Sequence, residues 1–351
     1  MSGVVGIPSL WLRHEVRSTE RRAPITPADA AELVRDGLSI TVERSPQRCF
    51  ADADYADAGC RLMPTGSWPD APEQVFVLGL KELPDQPAAL RHQHVYFGHA
   101  YKNQAGSTEL LRRFVDGGGV LLDIEYLTDP TGRRLAAFGY WAGYLGAALA
   151  VLHDRGRLAA PLQSGDRDQL DRQLADGAGS DRLRALVIGA LGRSGRGACD
   201  ALVVAGVQVT EWDVEQTRQL DRAALLDHHL LINTVLVNSP TPPFVTAADA
   251  DDPSRELRVI CDVTCDVSSP YNLLPVYDQL TSWQQPARRL RSEPVPLDVI
   301  AIDNLPALLP REATVAFSAE LAPQLRLLGA TDGPWPDCRR HFEQAVAALA
   351  G

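Results

Sequence analysis

No stretch of this chain is apolar for the roughly 20 residues that a bilayer-spanning helix needs. The opening MSGVVGIPSLWLRHE lacks the basic flank and long apolar heart of an export signal. Paired cysteines are missing too. Cys49, Cys60, Cys199, Cys261, Cys265 and Cys338 are scattered, without the CxxC spacing of a zinc site, so no metal is expected. The thiols read as reduced and mostly buried, which predicts a cytoplasmic protein. Runs of like charge are absent, and 45 acidic against 34 basic residues give a net charge of −11. That balance argues against nucleic acid and against a membrane as partners. Internal repeats and low-complexity segments are lacking as well.

What the chain does have is length and alternation. Its 351 residues, 45% hydrophobic and 23% charged, suffice for two domains with cores that need no disulfide or metal. A first strand is expected over 10–12. Thr26-Pro27-Ala28-Asp29 then predicts a helix start, with Thr as N-cap and Pro at the first helical position, ending near Gly37. Strands follow at 39–43, 74–80, 94–98 and 120–124, with a helix over 107–115 that Gly117-Gly118-Gly119 breaks. Segment 138–152 is rich in Ala, Gly and aromatics, suiting a closely packed helix. The polar stretch 163–181 reads as a surface helix or a loose excursion. A second alternating set has strands at 185–188, 207–212, 230–235, 258–262 and 297–302, and the tail from Glu312 is helical in pattern. Strands alternating with helices predict an α/β fold with doubly wound parallel sheets.

Two strands end in residues that handle protons: 74–80 runs into Lys81, and 94–98 into His99. Ligands of open α/β sheets bind outside the carboxyl ends of the strands, so these two are candidates for acid–base work. Their bland alternative is a surface residue at a strand end. The strand at 185–188 opens into Gly189-Ala-Leu-Gly192-Arg193-Ser194-Gly195, a loop that suits a pyrophosphate at a helix N-terminus. Its middle glycine comes one residue later than in GxGxxG, and such glycines also serve merely to pack a helix on a strand. Asp213 lies 24 residues after Gly189 at the end of the next strand, where an acid accepts from the adenosine ribose hydroxyls. This favours NAD over NADP, with Arg218 a nearby complication. Arg17, Arg21, Arg22, Arg133 and Arg134 supply forked donors for a substrate with several carboxylates.

Seven ordered motifs resemble one family: Leu10-Trp-Leu-Arg-His-Glu15, Glu20-Arg-Arg-Ala-Pro-Ile-Thr-Pro27, Gly79-Leu-Lys-Glu-Leu-Pro84, Gly98-His-Ala-Tyr-Lys-Asn-Gln104, Gly132-Arg-Arg-Leu-Ala-Ala-Phe-Gly139, Gly189-Ala-Leu-Gly-Arg193 and Asp303-Asn-Leu-Pro-Ala-Leu-Leu-Pro-Arg-Glu312. The chain is similar in these to saccharopine dehydrogenases of the NAD-dependent, L-lysine-forming type, relatives of alanine dehydrogenase and the transhydrogenase N-terminal region. The resemblance implies two Rossmann-like domains with the active site in the cleft between them. Residues 1–138 and 313–351 would form the substrate domain and 139–312 the NAD-binding domain. It implies that saccharopine, NAD and water give L-lysine, 2-oxoglutarate and NADH reversibly, in a monomer. By motif, Lys81 and His99 would be catalytic. Arg22, Arg134, Lys102, Glu82, Glu125 and Phe138 would bind or tune the substrate. Gly189, Gly192, Arg193, Ser194, Gly195, Asp213, Arg218 and Asp303 would bind NAD. Ser194 and Thr234 stand where fungal members carry cysteines, and Asn304 replaces a histidine. The alternative within the same chemistry is an opine-like or alanine-type dehydrogenase with another amine and 2-oxo acid.

Overall fold

The computed structural model describes residues 8–101, 106–178, 182–237, 239–267 and 269–349. They form two compact units; the first ends at Ala137 and resumes at Pro310, and the second runs Phe138–Leu309.

In the first unit the strands are β1 (Ser9–Leu12), β2 (Ser39–Glu43), β3 (Arg61–Met63), β4 (Phe76–Leu78), β5 (Gln93–Tyr96) and β6 (Val120–Asp123). Their order is β3-β2-β1-β4-β5-β6, with every pairing parallel. The chain starts mid-sheet, winds to one edge, then crosses back and winds to the other. The switch point therefore lies between β1 and β4, where such sheets open a ligand crevice. The helix Pro27–Arg35 starts as its sequence dictates: Thr26 Oγ1 accepts from Asp29 N at 3.1 Å. The neighbouring backbone binds the helix Pro310–Leu325, since Ala23 N donates to Thr314 Oγ1 at 3.0 Å and Thr26 N to Ser318 Oγ at 2.9 Å. These bonds hold the returning chain to the first unit. At the Gly117-Gly118-Gly119 break, Gly118 adopts φ 71°, while a Cβ on either neighbour would strike the Leu90 backbone.

The second unit contains β7 (Arg184–Ile188), β8 (Gln208–Trp212), β9 (Leu230–Asn233), β10 (Val259–Asp262), β11 (Arg288–Arg291) and β12 (Leu297–Ile300). Their order is β11-β12-β10-β9-β7-β8. Five strands are parallel, and of these β7, β9, β10 and β12 are buried in the manner of covered sheets while the edge strand β8 is partly exposed; β11 alone runs antiparallel, against β12. The helix Gly139–Asp154 is buried along most of its length and packs on the helix Arg193–Val204. Glycines make that approach possible: a Cβ on Gly143 would strike the Ser194 carbonyl, and one on Gly197 the Tyr140 carbonyl.

The α/β class with two doubly wound sheets is thus what the chain adopts. The polar stretch 163–181 contains a helix, Arg167–Ala175, capped by Asp166 through Gln169 N at 2.9 Å. Residues 179–181 of that stretch lie outside the described residues. Cys265 lies beyond the end of β10 at φ 55°. No helix among the described residues is long and apolar enough to cross a membrane.

Candidate active site

Parallel strands put their carboxyl ends on one edge, so the residues just past each strand decide what that edge can do. In the first unit β1 leads into Arg13-His14-Glu15, β4 into Gly79-Leu80-Lys81, β5 into Phe97-Gly98-His99, and β6 ends on Asp123 before Glu125. Lys81 and His99 accordingly leave adjacent strands at the same edge.

His99 is held in a backbone conformation that a branched or bulky residue rarely adopts, at φ 49°. Its N–H donates to Asp123 Oδ2 at 3.0 Å, its Nδ1 lies 3.0 Å from Glu125 Oε2, and its ring stacks on Phe97 at 6.2 Å. The side chain is 50% exposed, which leaves the other ring nitrogen open to a reactant. Gly98 is needed on the way: a Cβ there would come within 2.6 Å of Leu121 Cδ2. Asp123 is buried and also accepts from Glu125 N at 2.9 Å. Burial pushes its carboxyl up to about 6, against the lowering effect of that hydrogen bond and of His99.

Lys81 is half-buried. Its N–H donates to Glu15 Oε2 at 2.9 Å, and its carbonyl accepts from Arg13. Next to it, Glu82 is forked by Arg17, Nε to Oε1 at 2.9 Å and Nη2 to Oε2 at 3.0 Å. Burial alone would raise the Glu82 carboxyl, but the Arg17 fork outweighs it and holds the group below its ordinary range. Arg22 is buried and forked on Glu20, at 2.8 and 2.6 Å. Arg134 is exposed on a turn that Asp129 closes by accepting from Thr131 N and Arg133 N. Lys102 lies outside the described residues.

In the second unit the loop after β7 is fixed at both ends. Gly189 N and Ala190 N donate to Trp212 O at 2.8 and 3.1 Å, and Gly189 takes φ 84°. Gly192 caps the helix Arg193–Val204, and Gly195 packs so closely on Gly189 O that no side chain fits. Asp213, following β8, accepts from Leu191 N at 3.1 Å and Val214 N at 2.8 Å. A hollow of about 450 Å³ opens here, its lining including Leu191, Trp212, Val214 and the three acids Glu211, Asp213 and Glu215. Leu191 and Val214 are 69% and 59% exposed, flanking the carboxylate with apolar surface. Arg218 is exposed at the end of the helix Val214–Arg218, Ser194 and Arg193 open the helix after the loop, and Asp303 is exposed after β12. Phe138 is the N-cap of the helix Gly139–Asp154. The donor set suits a dinucleotide: a turn free of side chains, a helix start and an oriented acid. Among the described residues no His, Cys, Asp and Glu group could hold a metal.

Arg13, Glu15 and Asp123 were not singled out from sequence as site residues. The signal available for Asp123 was the one used for Lys81, an ionisable residue at the end of an apolar strand.

Residues 11–145 match the family described as alanine dehydrogenase/PNT, N-terminal domain. Over 97% of this chain and 99% of the relative, the chain is 38% identical to the NAD(+)-dependent, L-lysine-forming saccharopine dehydrogenase of Schizosaccharomyces pombe. It is 40% identical to the enzyme of the same name from Neurospora crassa, over 97% of each chain. Among solved structures an L-alanine dehydrogenase superposes with a TM-score of 0.71 at 19% identity, covering 97% of this chain and 99% of that one. That last likeness is one of fold.

Proposed function

This chain belongs to the family of NAD(+)-dependent, L-lysine-forming saccharopine dehydrogenases, and from that premise we propose how its residues divide the reaction. Saccharopine, NAD and water are converted to L-lysine, 2-oxoglutarate, NADH and a proton, reversibly. The observation that carries the residue roles is the emergence of Lys81 and His99 from neighbouring strand ends, each beside a carboxylate, Glu82 and Glu125.

Lys81 accepts the proton of the secondary amine as the carbon beside it is oxidised. His99, through the ring nitrogen that Glu125 leaves open, takes a proton from the water that adds to the imine and returns one to the departing lysine nitrogen. Glu125 orients that ring, and Glu82 with Arg17 sets the charge around Lys81. Arg134 and Lys102 are the donors for substrate carboxylates, which match a forked or ammonium group; Arg22, tied to Glu20, acts with them by shaping the pocket wall. Phe138 contributes apolar surface to the substrate.

The loop from Gly189 through Gly195, with Arg193 and Ser194, would hold the pyrophosphate of a nicotinamide dinucleotide, and Asp213 the ribose hydroxyls, with Leu191 and Val214 on either side of the adenine. Bound there, that cofactor supplies the hydride acceptor. The negative charge of Asp213 disfavours a ribose phosphate, so NAD is preferred to NADP. Arg218 would serve on the ribose side of that cofactor and Asp303 toward its nicotinamide. The whole is read as a single-chain enzyme acting on small molecules.

The test is NADH consumption by purified protein with L-lysine and 2-oxoglutarate, beside pyruvate and ammonia. Consumption with the first pair alone supports the reading. Consumption only with pyruvate and ammonia replaces it with an alanine-type enzyme, and activity with neither pair removes both.

A further inference from the structure

Lys81 is gripped through its backbone on both sides. On one side the Glu15 carboxylate accepts from Leu80 N at 2.7 Å and Lys81 N at 2.9 Å. On the other, Arg13 donates to the Lys81 carbonyl, while its second terminal nitrogen reaches His14 O at 3.0 Å and Glu15 Oε2 at 3.4 Å. Both side chains are buried, Arg13 at 2% and Glu15 at 6% exposure, so neither is available to a reactant. The two segments fit each other in sequence as well. Arg13 N donates to Leu78 O at 3.0 Å, placing the first loop directly beside the second at the switch point between β1 and β4. Gly79 has no side chain because the Arg13 guanidinium occupies the space; a Cβ would stand 2.5 Å from its Cζ.

A buried ion pair is a poor device for stability alone, because apolar groups of the same volume serve as well or better once desolvation is counted. What charged, buried hydrogen bonds do well is fix geometry. Glu15 accepts two successive N–H groups and Arg13 donates to the following carbonyl, so the peptide units flanking the Lys81 Cα are fixed from both directions. The direction in which the lysine side chain leaves the strand end is set by those two units. From the neighbouring strand Phe97 N donates to Leu80 O at 3.3 Å, and Glu82, just past the lysine, is bound by its side chain to Arg17.

We propose that Glu15, braced by Arg13, is a positioning residue that aims Lys81 at the amine proton, acting on the reaction only through that lysine. This rests on the acid–base role proposed above for Lys81. Displacing a reacting group by about 1 Å can cost on the order of a hundredfold in rate, and loss of one of two acceptors is expected to cost about tenfold.

The experiment is a double-mutant cycle on the full chain. Rates are measured for wild type, Glu15→Gln, Lys81→Met and the double variant, with NADH, L-lysine and 2-oxoglutarate. Glutamine keeps the shape of Glu15 but sets an NH₂ against one of the two N–H groups. Glu15→Gln is expected to lower kcat about tenfold while KM for each substrate changes less than twofold, and to lower it no further when Lys81 is already Met. An unchanged kcat in Glu15→Gln overturns the proposal. So does an equal loss in both backgrounds, which is the mark of a merely structural role. A Lys81→Met enzyme as fast as wild type instead removes the acid–base reading itself, a separate outcome. If Glu15→Gln does not fold, as judged by circular dichroism, Gly79→Ala applies the same criteria, since its methyl displaces Arg13 from the Lys81 carbonyl without removing a charge.

Discussion

Glu125 Oε2 and His99 Nδ1 face each other at 3.0 Å, across 26 residues of sequence. A carboxylate can only accept, so it selects the tautomer with the proton on Nδ1 and leaves Nε2 to work. Glu125→Gln keeps an acceptor but removes the charge. A partly exposed pair of this kind is worth about 1 kcal/mol, so kcat should fall about fivefold, with the Phe97 stack keeping the ring in place. Steady-state rates check this, and an unchanged kcat means that the ring takes its orientation from the stack instead.

Acid should weaken the first unit through His94. That ring lies wholly buried on β5, edge-on to Trp68 at 5.0 Å and Phe114 at 5.4 Å, near Tyr96 and His92, with neither nitrogen hydrogen-bonded. Burial pushes its pKa well down, and the positive charges of Arg13, His92 and Arg113 push the same way. An unfolded histidine titrates near 6.5. A base whose folded pKa is depressed contributes stability above the unfolded value and loses it as pH falls below, by up to about 1.4 kcal/mol per pH unit. Denaturant unfolding at pH 7 and pH 5 should therefore show a smaller loss on acidification in His94→Phe than in wild type. Equal losses would put the acid sensitivity elsewhere.

Much of this was legible because it is local. Thr26-Pro27 announces a helix start with its own atoms, and an apolar strand running into Lys81 or His99 needs only the rule that ligands bind at carboxyl ends. Asp213 is picked out by its spacing from Gly189 alone. The harder parts depend on partners distant in sequence. Glu15 matters through N–H groups 65 and 66 residues away, and nothing near it says so; Asp123 holds one 24 residues back, which its place at a strand end does not reveal. β11 reads Arg-Arg-Leu-Arg, a pattern that looks like surface and proves to be a charged sheet edge. Arg22 shows the converse, a partner close by in sequence. Its residue type promised a carboxylate partner, and the structure supplies one two positions away, in Glu20.

That pairing changes what Arg22→Ala should do. Removing the fork takes two charge-assisted hydrogen bonds from the buried Glu20 carboxylate, a loss of about 3–5 kcal/mol for broken buried pairs. The variant should unfold at markedly lower denaturant, whatever happens to its substrate constants. A stability within about 0.5 kcal/mol of wild type would show that Glu20 finds other partners on relaxation.

Gly143→Ala should be costly although alanine is ordinarily the better helix former. The added methyl points at the Ser194 carbonyl, inside any allowed contact, so two helices must separate. Overpacking of this kind costs about 1–3 kcal/mol, and thermal unfolding should register it as a lowered Tm. A raised Tm would mean that the helix Gly139–Asp154 slides to make room at no cost.

Asp213 should decide between NAD and NADP. Its two oxygens are fixed by Leu191 N and Val214 N, so the carboxylate is already aimed when a ribose arrives, and each oxygen keeps a second lone pair for a hydroxyl. Hydrogen bonds to a charged group are worth about 1.5–3 kcal/mol. Asp213→Ala should raise KM for NAD roughly tenfold to a hundredfold, and it should help NADP by lifting the repulsion of its phosphate, with Arg218 available as a counter-charge. The same residue caps the short helix Val214–Arg218, so alanine alone confuses charge with local unfolding. Asp213→Asn keeps the cap and one acceptor while removing the charge. It should lose little with NAD and gain with NADP, shifting the ratio of kcat/KM values toward NADP. If the ratio is the same in Asp213→Asn as in wild type, charge at this position does not choose the cofactor, and the ribose reading of Asp213 falls.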